Sequence, residues 1–184
     1  MKTPTGRGWA KFIRDAKKAN GRVLVVVHPY YWQITRYFGY GHKLRNLVAK
    51  SKIPVLILEE AHKAEESAAH FGDRPYFLLT GKGKATPKEG WGHIERLFKA
   101  AGIKAAFVAG QMASHADLAD DEHTRAILDY EKANVPRMRR TINDECVGWT
   151  YAELIKMKIP KVRLVPKVTF PDKPVYGKRK MEEK

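Results

Sequence analysis

Cys146 is the only cysteine in the chain, so no internal disulfide can form and its thiol is left for chemistry. Asn143 and Asp144, just before it, are good helix N-caps. They place the thiol in a first helical turn, where exposed backbone N–H groups stabilise a thiolate. That is the setting of a nucleophilic cysteine; the alternative is a small apolar residue packed beneath the helix. Further groups stand just past short apolar runs: His28, the Glu60-Ala61-His62 stretch, Lys82 with Lys84, and Gly110. A histidine placed like His28 can move a proton near neutral pH, or can simply bond a loop at a strand end. Gly81-Lys82-Gly83-Lys84 lacks the spacing and the terminal Ser/Thr of a phosphate loop and reads as a mobile basic loop. Tyr30, Tyr31, Trp32, Tyr37 and Tyr40, with Arg36 and Lys43, could stack on bases or on an aromatic ligand, or could cover the sheet. His115, Asp117, Asp120, Asp121, Glu122 and His123 offer enough ligands for a divalent ion, although acids are also what a helix N-terminus favours.

These groups need elements to position them, and the hydrophobic pattern supplies an alternation. Residues 8–19 read as an amphipathic helix, with Trp9, Phe12, Ile13 and Ala16 at helical spacing and Asn20-Gly21 as its stop. Residues 23–27, 55–58, 76–79, 105–109 and 162–165 read as strands; the first is continuously apolar, as a strand covered on both faces must be. Helices are expected at 33–50, interrupted near Gly39 and Gly41, at 59–70, at 91–102 and at 145–158. The predicted fold is therefore a doubly wound, mostly parallel α/β sheet with helices on both faces, a Rossmann-like three-layer arrangement. In such folds ligands bind at the carboxyl ends of the strands. Residues 1–170 form one domain, with 111–144 as an inserted, partly helical segment. The Pro-rich, basic end from Pro166 reads as extended, and 171–184 as a basic tail.

The 184 residues suit one domain with a real core, and 43% hydrophobic with 30% charged residues excludes a disordered polyelectrolyte. No apolar run approaches the ~18 residues of a membrane helix, and residues 1–22 lack the apolar core of a secretory signal, so no membrane association and a cytoplasmic location are expected. The net charge of +15 attracts polyanions whatever the fold. Its clusters at 11–22, Arg137 to Arg140 and Lys178 to Lys180 fit a solvated surface or a nucleic-acid partner.

Around the thiol the chain reads Cys146-Val147-Gly148-Trp149-Thr150-Tyr151-Ala152, followed by Ile159, Lys161-Val162 and Leu164-Val165. This stretch resembles the isochorismatase-like cysteine hydrolases, which include nicotinamidases and show C-V-x-x-T opening the helix before the next strand. Other landmarks fall in the same order: the first apolar strand, Ile53-Pro54-Val55 entering the second, a lysine after the third, and Val108-Ala109-Gly110 approaching the cysteine. The resemblance spans residues 23–170. It implies a cysteine that attacks an amide or similar carbon, a base after the first strand and an orienting lysine after the third. Those roles fall on Cys146, His28 and Lys82 or Lys84, with Tyr31, Trp32, Gly110 and Trp149 as substrate contacts. No cofactor is required, but Glu60, His62 and His70 imitate the carboxylate-x-His metal site of some nicotinamidases; a solvated acidic helix face is the other reading. The chain departs from the family in carrying His28 where the family has aspartate, and in the long segment before Cys146. Each departure points to a changed substrate or a lost activity. An imidazole in hydrogen-bond reach can deprotonate a thiol, so a Cys146/His28 pair acting on a small amide or ester is the expectation. The rivals are a non-enzymatic basic module that binds nucleic acid and an inert scaffold that assembles as a homo-oligomer.

Overall fold

Residues 22–27 leave no polar side chain for solvent after Arg22, and a strand of that kind is stable only between two covering layers. A computed structural model, described for residues 6–29, 40–81, 84–113 and 146–171, shows both layers. The elements in chain order are α1 (Gly6–Lys18), β1 (Arg22–Val27), α2 (Tyr40–Lys50), β2 (Val55–Glu60), a 3-10 turn (Ala61–Lys63), α3 (Ala64–Phe71), β3 (Tyr76–Thr80), α4 (Trp91–Ala101), β4 (Ala105–Ala113), α5 (Cys146–Lys156) and β5 (Lys161–Pro171). The strands form one five-stranded sheet, all parallel, in the order β3-β2-β1-β4-β5.

Alternation along β1 divides the core. Val23, Val25 and Val27 join Phe12 and Ala16 of α1, Ile94, Leu97 and Phe98 of α4, and Val147 and Leu154 of α5. Leu24 and Val26 join Leu44 and Val48 of α2 and Phe71 of α3 on the opposite face. Chain order reverses at β1, with β2 on one side and β4 on the other, so the crevice expected of a doubly wound sheet opens between β1 and β4. At its floor Val27 pairs with Gly110. The two backbones lie so close that a Cβ on Gly110 would stand 2.1 Å from the Val27 oxygen, and Gly110 has φ +117°. Only glycine fits there.

Three expected boundaries are corrected. β2 continues through Glu59 and Glu60, both buried, where a helix was expected from residue 59. The Glu59 carboxylate can stay inside because Oε2 accepts the Ser67 hydroxyl at 2.5 Å and Oε1 accepts the Glu60 N–H at 3.0 Å. β4 runs to Ala113, four residues past its expected end and into the stretch assigned to the insertion. β5 extends through residues 166–171, which the prolines suggested were tail. Its pairing with β4 jumps from Val108↔Leu164 to Gly110↔Thr169, and the Thr169 hydroxyl donates to the Val165 carbonyl at 2.8 Å across that bulge. The first part of the 33–50 helix, the helical segment near 120–133 and the tail from 172 lie outside the described residues. Among the described residues no helix is long and apolar enough to cross a membrane.

Candidate functional site

β1 ends where the chain must leave the sheet, and it leaves through a strained residue. His28 takes φ +44°, in the left-handed region that L residues with a Cβ rarely occupy. Its N–H still donates to the Leu58 carbonyl at 2.8 Å, so the bend begins only after the last ladder bond to β2. The side chain is buried, 3% exposed. Its Nε2 lies 3.1 Å from the Lys84 carbonyl and 3.2 Å from Thr80 Oγ1. A carbonyl only accepts, so the bond to Lys84 puts the proton on Nε2. Thr80 agrees, because its hydroxyl proton goes to the Gly81 carbonyl at 3.3 Å and its oxygen is left to accept. The network therefore assigns the lone pair to Nδ1. Burial pushes the His28 pKa below the usual histidine value; the Glu60 carboxylate and the bond to the Lys84 carbonyl oppose the shift without cancelling it. His28 is a neutral base at pH 7.

The loop that holds Nε2 is itself pinned. Thr80 bridges to Pro87, the Lys88 N–H donates to the Leu79 carbonyl at 2.9 Å, and the Lys84 N–H donates to the Gly81 carbonyl at 3.2 Å. Lys84 meets His28 through its backbone oxygen, and its residue is exposed. Glu60 stands opposite Thr80 in the β2–β3 register, and its Oε2 is 3.2 Å from Nδ1 of the exposed His62. His28, Glu60, His62 and Thr80 thus gather at the carboxyl ends of β1, β2 and β3. His70 does not join them: α3 carries it back along the sheet, where its ring packs 4.7 Å from Phe71. Among the described residues no three His, Cys, Asp or Glu side chains form a group that could hold a metal ion, so the Glu60, His62, His70 set is not assembled.

Cys146 is the first residue of α5, half-buried and packed against the α1–α4–α5 face of the core. Because α5 connects two parallel strands, it runs against them and starts at the carboxyl edge. The thiol therefore shares an edge with His28, at the end of a helix whose first N–H groups have no partners within the helix. The Thr150 hydroxyl donates to the Cys146 carbonyl at 2.8 Å, which accounts for the buried threonine of the motif. Trp149 is 48% exposed. Gly110 lies at the β1–β4 crevice, but its packing against Val27 already explains the glycine.

No family model matches the chain, and no match is found among curated proteins or solved structures.

Sequence reasoning missed Thr80, and Trp91 and His93 at the start of α4. Trp91 Nε1 and His93 Nε2 are buried without a hydrogen-bond partner among the described residues, although the His93 ring packs 5.7 Å from Trp9. Polar atoms in that state are unusual in a native interior. A polar residue directly after the apolar run at 76–79 was the only available signal for Thr80. Tyr31, Trp32, Lys82, Asn143, Asp144 and the 115–123 cluster lie outside the described residues.

Proposed function

We propose that the protein is a cysteine hydrolase of small amides or esters, an isochorismatase-like enzyme or a diverged relative, with Cys146 as nucleophile and His28 as its base. The observation that carries this reading is the state of His28. A buried imidazole, held neutral with Nε2–H tied to Lys84 and Thr80, has its lone pair on Nδ1, and a general base needs that form. The cost of a left-handed, non-glycine residue at a strand end is the kind of strain that persists at working sites. Cys146 opening α5 at the same edge supports the other half of the pair, since a helix start lowers a thiol pKa.

In the reaction His28 Nδ1 takes the thiol proton and the sulfur attacks the carbonyl carbon. The tetrahedral intermediate collapses to a thioester as the imidazolium returns the proton to the leaving amine or alcohol. Water, deprotonated by the same nitrogen, then releases the acid and regenerates the thiol. Glu60 supports the imidazolium by its charge. First-turn N–H groups of α5 would face the developing oxyanion.

The test is alkylation of Cys146 by iodoacetamide, followed by intact mass, in the parent chain and in His28→Gln. A rate that persists at mildly acidic pH in the parent and falls at least tenfold in the variant supports the pair. Equal rates in both, with ordinary thiol reactivity, would remove it.

A further inference from the structure

In an all-parallel sheet with covering helices, every turn from a helix back to a strand lands on the same edge. Here the turns into β3, β2, β1, β4 and β5 stand side by side in that order, and the outermost, into β3, carries the exposed pair Asp73 and Arg74. Each of the other four brings an exposed cation: Lys52, Arg22, Lys104 and Lys161. The turns touch through their backbones. The Lys104 N–H donates to the Gly21 carbonyl at 2.7 Å, the Lys161 N–H to the Lys104 carbonyl at 3.1 Å, and the Leu24 N–H to the Pro54 carbonyl at 3.0 Å. With strands ~4.8 Å apart, the four side chains form a row about 14 Å wide.

Basic residues do belong at helix C-termini, and Lys17, Lys18 and Lys50 complement helix dipoles there. That effect fades within the last turn; Lys52, Lys104 and Lys161 lie beyond it, while Arg22 donates through Nε to the Ala19 carbonyl at 3.0 Å and is still exposed. Nor are they there for ion pairing. The nearby Lys99 and Lys156 are matched by Glu95 and Glu153, whereas none of the four has an ion-pair partner among the described residues. The carboxyl edge differs, mixing Lys84 and Lys88 with Glu60 and Glu89.

We propose that this amino edge binds the phosphate backbone of a duplex nucleic acid. A row of cations on turns joined by backbone hydrogen bonds fits a regular line of phosphates. A single strand is held by stacking on aromatic rings, and a membrane surface by inserted apolar side chains. The large exposed hydrophobics among the described residues are Trp149 and Ile155, both on α5; Ile155, in its last turn, approaches this edge as a single aliphatic side chain, and no exposed aromatic ring among the described residues stands in the row. The surface lies about 20 Å from the candidate hydrolase site, a strand's length away, so both could be occupied together.

Fluorescence anisotropy with a labelled duplex of random sequence tests the proposal on the full chain. It compares the parent, an edge variant (Arg22→Gln, Lys52→Gln, Lys104→Gln, Lys161→Gln) and a control of equal charge (Lys43→Gln, Arg45→Gln, Lys88→Gln, Arg96→Gln). Far-UV circular dichroism establishes that all three are folded. The parent should bind with a steep loss between about 50 and 200 mM salt, and the edge variant should lose about 0.9 of log–log salt slope for each phosphate contact removed. The control should keep the parent's slope. Equal losses in both variants, absence of parent binding at low salt, or tighter binding to a single strand or to anionic vesicles would each overturn it.

Discussion

His28 is a buried titratable side chain at the candidate site, and its protonation is linked to stability. In the unfolded chain an imidazole takes its proton near pH 6.5, while in the folded protein burial delays protonation to a lower pH. Between those values the unfolded state holds more protons, so stability rises with pH there. The contribution is complete above about pH 6.5 and is lost as pH falls through the depressed folded value. Urea titrations at a series of pH values should show that slope in the parent chain and a flatter curve in His28→Gln. On the proposed hydrolase reading, the acid limb of the rate profile should also lie below the ordinary histidine value, and His28→Gln should lower kcat by about 10²–10⁴-fold. His28→Asp, which restores the resembled family's residue, should retain more activity than His28→Gln. The position of His28 was legible because an apolar run must stop at His28-Pro29. Its partner was not legible, because the group that fixes the tautomer is the backbone oxygen of Lys84, set by a loop that folds back through Thr80 and Pro87.

At the scale of elements, the approach of β1 to β4 depends on one missing Cβ. Gly110→Ala would press a methyl group on the Val27 backbone, which cannot yield without opening the ladder, so a loss of about 3 kcal/mol or more is expected. Gly102→Ala is the comparison: φ is +64° and ψ +41°, in the left-handed region, but nothing lies within 4 Å, and only the left-handed penalty of about 1–2 kcal/mol applies. Chemical denaturation of the two variants should separate crowding from backbone strain. A second device sits under α3, where Ser67→Ala leaves the buried Glu59 carboxylate short of a donor, at a cost of about 1–3 kcal/mol. The parallel sheet was legible in runs such as 23–27 because burial on both faces leaves a continuous apolar word. The end of β2 was not, since two consecutive glutamates look solvated until Ser67 and His62 are brought to them by the fold. The end of β5 was hidden in the same way, because Pro166 suggests a stop, whereas an edge strand tolerates proline and a bulge absorbs the register. Glu60, His62 and His70 together imitate the resembled family's metal site in the sequence; among the described residues they form no group of three that could hold an ion.

Among the described residues, the four turns into β2, β1, β4 and β5 carry exposed cations, with Asp73 in the turn into β3, while the carboxyl edge mixes Lys84 and Lys88 with Glu89. A net charge of +15 on one domain repels itself, and the repulsion is strongest where cations have no acidic neighbours. Raising ionic strength from about 0.01 to 0.1 M shortens the Debye length from about 30 to 10 Å, which screens charges farther apart than about 10 Å while weakening nearest-neighbour repulsion less. Described ion pairs such as Lys11–Asp15 and Lys63–Glu66 are exposed or half-exposed and contribute little, so their screening should not offset the gain. The thermal midpoint should therefore rise with salt, by roughly 2–4 °C for each kcal/mol of repulsion removed. The four-residue edge variant should start from a higher midpoint at low salt and rise less. Scanning calorimetry of both chains measures the two slopes. A midpoint that falls with salt would mean that attractive pairs outweigh the repulsion, and that the amino edge is less crowded with charge than its turns indicate.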